Sequence, residues 1–256
     1  MTEPKPTIVD LTAGGPLMAL RVSVLHSLQQ LGFVVPPQRW CLIGGLMVEV
    51  LLASRGSKMV RPTDDGDIVG DVAADRGVLR RLAEALIAMN FSQIQTGWDS
   101  DIGVRFRDPD GAFIDILTPA NSGRLRNVLP TQPRMRSLEA PGTDFALKTA
   151  TPFDVMFTSA GPPLNIWVHS VLGALYAKAS AWHDIRNAAE PHKHLQDAAA
   201  LLTVIRLAEL RDASAAVSKR LGWLQAELTN SNSVGWEYVP LQLRSDAIVR
   251  LAQAHS

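Results

Sequence analysis

Apolar residues recur at three- and four-residue spacing from about Leu17 to Leu31, behind Gly15-Pro16 and ahead of Gly32. This predicts a helix with proline in its first turn and glycine at its far end. The pattern then changes period. Trp40 to Ile43 is a short, wholly apolar run of strand length, Gly44-Gly45 interrupts it, and Leu46 to Ser54 reads as a helix. Asp67 to Val72 predicts a second strand and Ala74 to Met89 a helix. That helix ends at Asn90, which tolerates the left-handed conformation. Phe91 to Gln95 predicts a third strand. Ile102 to Arg107 and Ala112 to Leu117 flank Asp108-Pro109-Asp110-Gly111, whose turn-forming residues predict a hairpin. Residues 121–141 read as a loop, and Phe145 to Ala150 and Phe153 to Thr158 as short strands.

Gly161-Pro162-Pro163 then punctuates the chain. Beyond it the apolar spacing predicts helices over Leu164–Trp182, Lys193–Leu207, Ala208–Leu228 and Leu241–Ala254, with a polar loop at Thr229–Ser233. Strands thus dominate the middle of the N-terminal part and helices the C-terminal part. The expectation is an α+β chain in two units, 1–160 and 161–256, with a cleft between them.

Composition narrows the function classes. Of 256 residues, 46% are hydrophobic and 20% charged, which excludes wholesale disorder. The 25 basic and 25 acidic side chains cancel, so no global positive field attracts nucleic acid. A local patch would have to do so, and Arg124, Arg126, Arg134 and Arg136 are either that patch or a solvated loop. The single cysteine, Cys41, rules out an internal disulfide and fits a reducing cytoplasm. Its apolar neighbours predict a buried thiol rather than a nucleophile. The N-terminus lacks the pattern of a signal peptide, and no apolar run has the length of a membrane span. A cytoplasmic protein without a membrane partner is expected.

The candidate chemistry lies in Arg61-Pro62-Thr63-Asp64-Asp65-Gly66-Asp67. Clustered carboxylates repel, so an ordered segment holding them needs a compensating cation. On an extended segment Asp65 and Asp67 share one face and form a pair of oxygen ligands suited to Mg²⁺. The same residues also suit a solvated acidic turn. A third carboxylate, Asp115, lies inside the apolar run Phe113–Leu117, where a charge needs a reason. Gly44-Gly45 between strand and helix is a place where backbone can approach a phosphate.

Taken in order, a strand, Gly44-Gly45, a helix, Arg61-x-Thr63-x-Asp65-x-Asp67 and Asp115 on a later strand resemble the nucleotidyltransferase superfamily. The arginine-hydroxyl-Asp-x-Asp form is most similar to its AbiEii branch, which includes toxins of toxin–antitoxin systems. Lys178, Arg186 and Lys193-His194-Leu195-Gln196-Asp197 extend the resemblance, which spans roughly Trp40 to Leu202. Two positions depart from the family pattern: Gly66 stands where an apolar residue is usual, and His194 where Asp is frequent.

The resemblance implies a nucleotidyltransferase-like mixed sheet with flanking helices and a helical C-terminal domain completing the cleft. It implies transfer of a nucleoside monophosphate from an NTP to an acceptor hydroxyl, with Mg²⁺ held by Asp65, Asp67 and Asp115. Asp115 could also lower the pKa of the acceptor hydroxyl or accept its proton, and Lys178 would neutralise the departing pyrophosphate, with Asp197 orienting Lys178 or Lys193. Gly44, Gly45, Arg61 and Thr63 would meet the phosphates. The implied acceptors are RNA, with the tRNA 3′ end as precedent, or a protein side chain, and a toxin would have an antitoxin partner. A small-molecule acceptor is the alternative on the same fold, and a catalytically inactive nucleotide- or partner-binding module is a second alternative.

Overall fold

The alternation of the central strands and the helical spacing around them build one mixed sheet with helices on both faces. The computed structural model describes residues 4–14, 17–57, 61, 63–94, 104–120, 122, 137–185, 192–211 and 213–253. In chain order the first half contains β1 (Thr7–Asp10), α1 (Ala19–Val34), β2 (Trp40–Ile43), α2 (Gly44–Ser54), β3 (Asp65–Gly70), α3 (Val78–Ala88), β4 (Ser92–Ile94), β5 (Arg105–Arg107) and β6 (Phe113–Pro119). Then follow β7 (Glu139–Ala140), α4 (Thr143–Lys148), β8 (Thr151–Met156), β9 (Leu164–Val168), α5 (Val171–Asp184) and α6 (His192–Val204). Three further helices, α7 (Leu207–Arg211), α8 (Ala215–Leu228) and α9 (Leu241–Gln253), complete a helical C-terminal part. None of the described helices is long and apolar enough to cross a membrane.

The strand order is β1-β8-β9-β2-β3-β6-β5-β4, with β7 paired to β6. The central strand β3 runs antiparallel to β2 and parallel to β6. Because side chains alternate across a strand, β3 and β6 divide their residues cleanly. Ile68, Ile114 and Ile116 join α1 and α3 in the main core. Asp65, Asp67 and Asp115 take the other face, where Cys41, Ile43 and Val69 form a smaller apolar cluster.

Gly66 belongs to the first face. A Cβ at this position would stand 2.7 Å from Cγ1 of Val24, and Ile114 and Leu28 close the remaining space. The glycine that breaks the family pattern therefore makes room for helix α1.

Several elements differ from expectation. Helix α1 runs through Gly32 to Val34, and the Pro36-Pro37 pair that follows stops it instead. Helix α3 starts at Val78, not Ala74, because Asp71 and Asp75 accept the N–H groups of Ala74 and Gly77 in a turn. Residues 143–148 are the helix α4 where a strand was predicted; a short apolar run there cannot separate the two periods. The helix predicted over Leu164–Trp182 is strand β9 followed by α5. Leu164, Ile166 and Val168 are buried in alternation, and Ser170 caps α5 by accepting the Gly173 N–H. The predicted helix Ala208–Leu228 is split into α7 and α8, the second capped by Ser214. Residues 157–163, including the Gly-Pro-Pro punctuation, connect the antiparallel pair β8 and β9. Arg124, Arg126, Arg134, Arg136 and Arg186 lie outside the described residues.

Candidate active site

Across four strands, one row of residues sets the site. Ile43 of β2 pairs with Asp67 of β3, Asp67 with Asp115 of β6, and Asp115 with Arg105 of β5. Asp65 lies two residues before Asp67 and opposite Phe113. Three carboxylates and one guanidinium thus share a patch of sheet face.

Arg105 is the compensating cation that the acidic cluster required. Its Nε and one terminal nitrogen donate to the two oxygens of Asp115 at 2.9 and 2.7 Å, a bidentate pair. The same terminal nitrogen lies 3.9 Å from Asp65 Oδ2, and the guanidinium rests over the Phe113 ring, 5.2 Å from its centroid. The hydrogen bonds to Asp115 raise the Arg105 pKa above its ordinary value against the opposing effect of burial. Asp67 is left with the repulsion: burial, then Asp65 and Asp115, push its pKa up to about 7. Among the described residues no three His, Cys, Asp or Glu side chains converge as a metal-binding group. Both Asp115 oxygens accept from Arg105, whereas Asp65 and Asp67 make no hydrogen bond to it.

The floor of the site is the start of α2. Gly44 adopts φ +75°, and a Cβ on it would fall inside the Asp67 carboxylate. A Cβ on Gly45 would approach an Arg61 terminal nitrogen to 2.8 Å and Thr63 Oγ1 to 2.9 Å. Glycine is thus required at 44 by backbone and space, and side chains crowd the backbone at 45. Ile43 precedes α2 and makes no side-chain cap, and the N–H groups of a helix's first turn are where a phosphate can bind. Thr63 donates to Asp65 Oδ1 at 2.6 Å, so its hydroxyl orients a carboxylate rather than waiting for a phosphate. Its carbonyl accepts from Arg21 Nε at 3.3 Å, and Arg21 also pairs with buried Glu49 of α2 at 3.0 Å.

The opposite wall is helical and cationic. Lys178 of α5 and Asp197 of α6 are 5% and 2% exposed, and Lys178 Nζ lies 2.6 Å from Asp197 Oδ2. Arg61 Nε donates to Asp197 Oδ1 at 3.0 Å. Burial alone would raise the Asp197 pKa, but Lys178 and Arg61 outweigh it and hold the carboxyl below its ordinary value. One buried carboxylate therefore anchors two cations from different elements. Lysine carries three N–H donors, so Lys178 keeps donors for a ligand while Asp197 fixes it. His194 stands beside them; burial and then Lys178 and Lys193 push its pKa down to about 3, which leaves it neutral at pH 7.

Acidic face, glycine floor and cationic wall enclose one cavity of about 500 Å³, lined by all nine of the residues predicted for the site together with Arg105, Lys193 and His194. This volume is in the range of small-ligand sites. Sequence reasoning missed Arg105 although a signal was present. The turn at residues 108–111 fixes the hairpin register, which places Arg107 opposite Phe113 and Arg105 opposite Asp115. Arg21, which braces the Thr63 carbonyl and Glu49 from helix α1, had no such local signal.

No family model matches the chain, and no curated protein matches it. Among solved structures, an antigenic nucleotidyltransferase-like protein from Paracoccidioides brasiliensis is similar, with a TM-score of 0.49 at 16% identity. The match covers 86% of this chain and 94% of that one. Similarity at this level leaves the reading of the site to its own geometry.

Proposed function

We propose that the cavity is the active site of a Mg²⁺-dependent nucleotidyltransferase that moves a nucleoside monophosphate from an NTP to an acceptor hydroxyl. The observation that carries this reading is the division of one cavity into a carboxylate face and a cationic wall, joined by an uncapped helix N-terminus. A triphosphate needs all three: a metal-holding face, backbone donors and fixed positive charge. Bound Mg²⁺ would supply electrostatic stabilisation of charge on the reacting phosphates.

The chain's own residues account for the remainder. Asp65 and Asp67 would hold the metal, with Thr63 fixing the rotamer of Asp65. Gly44 and Gly45 let the first turn of α2 approach phosphate oxygens. Lys178 and Arg61, held by Asp197, would stabilise the negative charge that grows on pyrophosphate as the α–β bridge breaks. Neutral His194 adds no negative charge beside them. The acceptor proposed is an RNA end or a protein hydroxyl, in keeping with the resemblance to AbiEii toxins, and an antitoxin partner would follow from that role.

A second reading, nucleotide binding without transfer, is favoured by the Arg105–Asp115 pair, which occupies the carboxylate expected to activate the acceptor. Incubation with Mg²⁺, each α-labelled NTP, and RNA, protein or small hydroxyl acceptors separates the two. Transfer of label that disappears in Asp67→Ala supports the transferase, and the labelled acceptor identifies its class. Saturable nucleotide binding with no transfer to any acceptor would leave the binding module.

A further inference from the structure

We propose that Arg105 is the resident cation of the acidic face: it holds Asp115 where a metal ion would otherwise sit, leaving one divalent cation to bind at Asp65 and Asp67. The inference rests on the transferase reading for the purpose of the site, but it concerns how many of its carboxylates are ligands.

Three observations meet at Arg105. Its register opposite Asp115 is fixed by the hairpin, so the pair is built into the sheet rather than chosen by a mobile side chain. Both Asp115 oxygens accept from it, and a carboxylate so engaged has its best lone pairs facing the guanidinium. The cation is also braced from below, because Phe113 lies on the same face and its ring sits under both Arg105 and Arg107. A metal ion bridging Asp115 and Asp67 would have to displace a planar group from two hydrogen bonds and an aromatic support. Arginine cannot give up its charge to make room, as lysine or histidine can when crowded by a cation. The charge count agrees. Asp65, Asp67 and Asp115 carry three negative charges when ionised and Arg105 returns one, so a single divalent ion neutralises the face.

The alternative is that Arg105 swings away when metal arrives and Asp115 becomes a third ligand. Titration with Mn²⁺ alone, followed by electron paramagnetic resonance, decides between them without reference to nucleotide or acceptor. The wild-type chain should bind one Mn²⁺, and Asp67→Asn should abolish this binding. The double variant Arg105→Leu/Asp115→Leu removes the pair together, which avoids leaving a buried charge unpaired. It should still bind one Mn²⁺, weakened by no more than the roughly hundredfold that loss of outer-shell groups brings, since neither residue is a ligand. Arg105→Gln frees Asp115 and should add a second ion or tighten binding roughly tenfold. If Arg105→Gln fails to fold, the double variant carries the test alone.

Loss of the Mn²⁺ site, or of more than roughly a hundredfold in its affinity, in the double variant would make Asp115 a ligand and overturn the proposal. So would a folded Arg105→Gln with unchanged Mn²⁺ count and affinity, or a wild-type chain with no saturable Mn²⁺ site. One Mn²⁺ independent of Asp115, in a protein that transfers no label, leaves this inference standing and removes the transferase reading.

Discussion

Two acidic segments of this chain, Asp64-Asp65-Gly66-Asp67 and Asp108-Pro109-Asp110-Gly111, have nearly the same composition and opposite roles. In the second, both oxygens of the Asp108 carboxylate are taken up by neutral donors. One oxygen accepts the Ala112 N–H at 2.7 Å and the other the Ser23 hydroxyl at 2.8 Å. In the first, the charges face cations: Arg61 from the same stretch, Arg105 across the sheet, and Lys178 and Lys193 around the cavity. A carboxylate satisfied by neutral donors, as Asp108 is, ties its turn to helix α1. A carboxylate crowded by others and balanced by surrounding cations, with a pKa pushed up, is poised to take another cation.

The sharpest way to break this comparison is to neutralise one acid from each segment. Asp67→Asn should lower label transfer by about 10²–10³-fold, while Asp108→Asn should leave the rate per folded molecule unchanged. Equal losses in both would place Asp108 in the site as well.

The cationic wall gives the next largest effect. Asp197→Ala leaves Lys178 and Arg61 in a buried setting without their shared carboxylate, and should cost about 3–5 kcal/mol in urea unfolding. A loss under about 1 kcal/mol would mean that the two cations do not depend on it.

A pH effect follows from Asp67. Its folded pKa of about 7 lies above the ordinary 3.8, so the folded chain holds a proton that the unfolded chain releases across that interval. In chelator, this contribution is fully present below pH 3.8 and is lost as pH rises through about 7. It should amount to on the order of 2 kcal/mol, less than the full linkage because the carboxylate borders an open cavity. Thermal unfolding of Asp67→Asn should lack this slope, and Mg²⁺ should restore wild-type stability at pH 7. Identical pH profiles for the two proteins would remove Asp67 as the strained member.

The smallest effect separates packing from chemistry within the first segment. Gly66→Ala meets Val24 and should cost about 1–2 kcal/mol by overpacking, with partial recovery when Val24→Ala is added. Failure of that recovery would mean that backbone freedom, rather than the neighbouring helix, selects the glycine.

Much of this was legible in the sequence, and the reasons are local. The hairpin at residues 108–111 follows from turn chemistry, and Asp65 with Asp67 follows from strand alternation. Lys178 and Asp197 were reached as positions through the resemblance, which left Lys178 or Lys193 as the partner of Asp197; the contact between helices picks Lys178. Residues 143–148 and 164–168 were misjudged because short apolar runs fit both periods. The partners of Asp115 and Thr63 were missed for a different reason. Each carboxylate or hydroxyl was read as waiting for a ligand, whereas the folded chain already supplies Arg105 and Asp65. Gly66 shows the same limit, since its purpose lies in Val24 on another element.

The most direct test is calorimetric titration of wild type, Asp67→Asn and Asp108→Asn with a non-hydrolysable NTP analogue in Mg²⁺. The account predicts saturable binding to wild type and Asp108→Asn that is lost or sharply weakened in Asp67→Asn and in wild type with chelator. Binding of equal strength in all three proteins, unaffected by chelator, would contradict it.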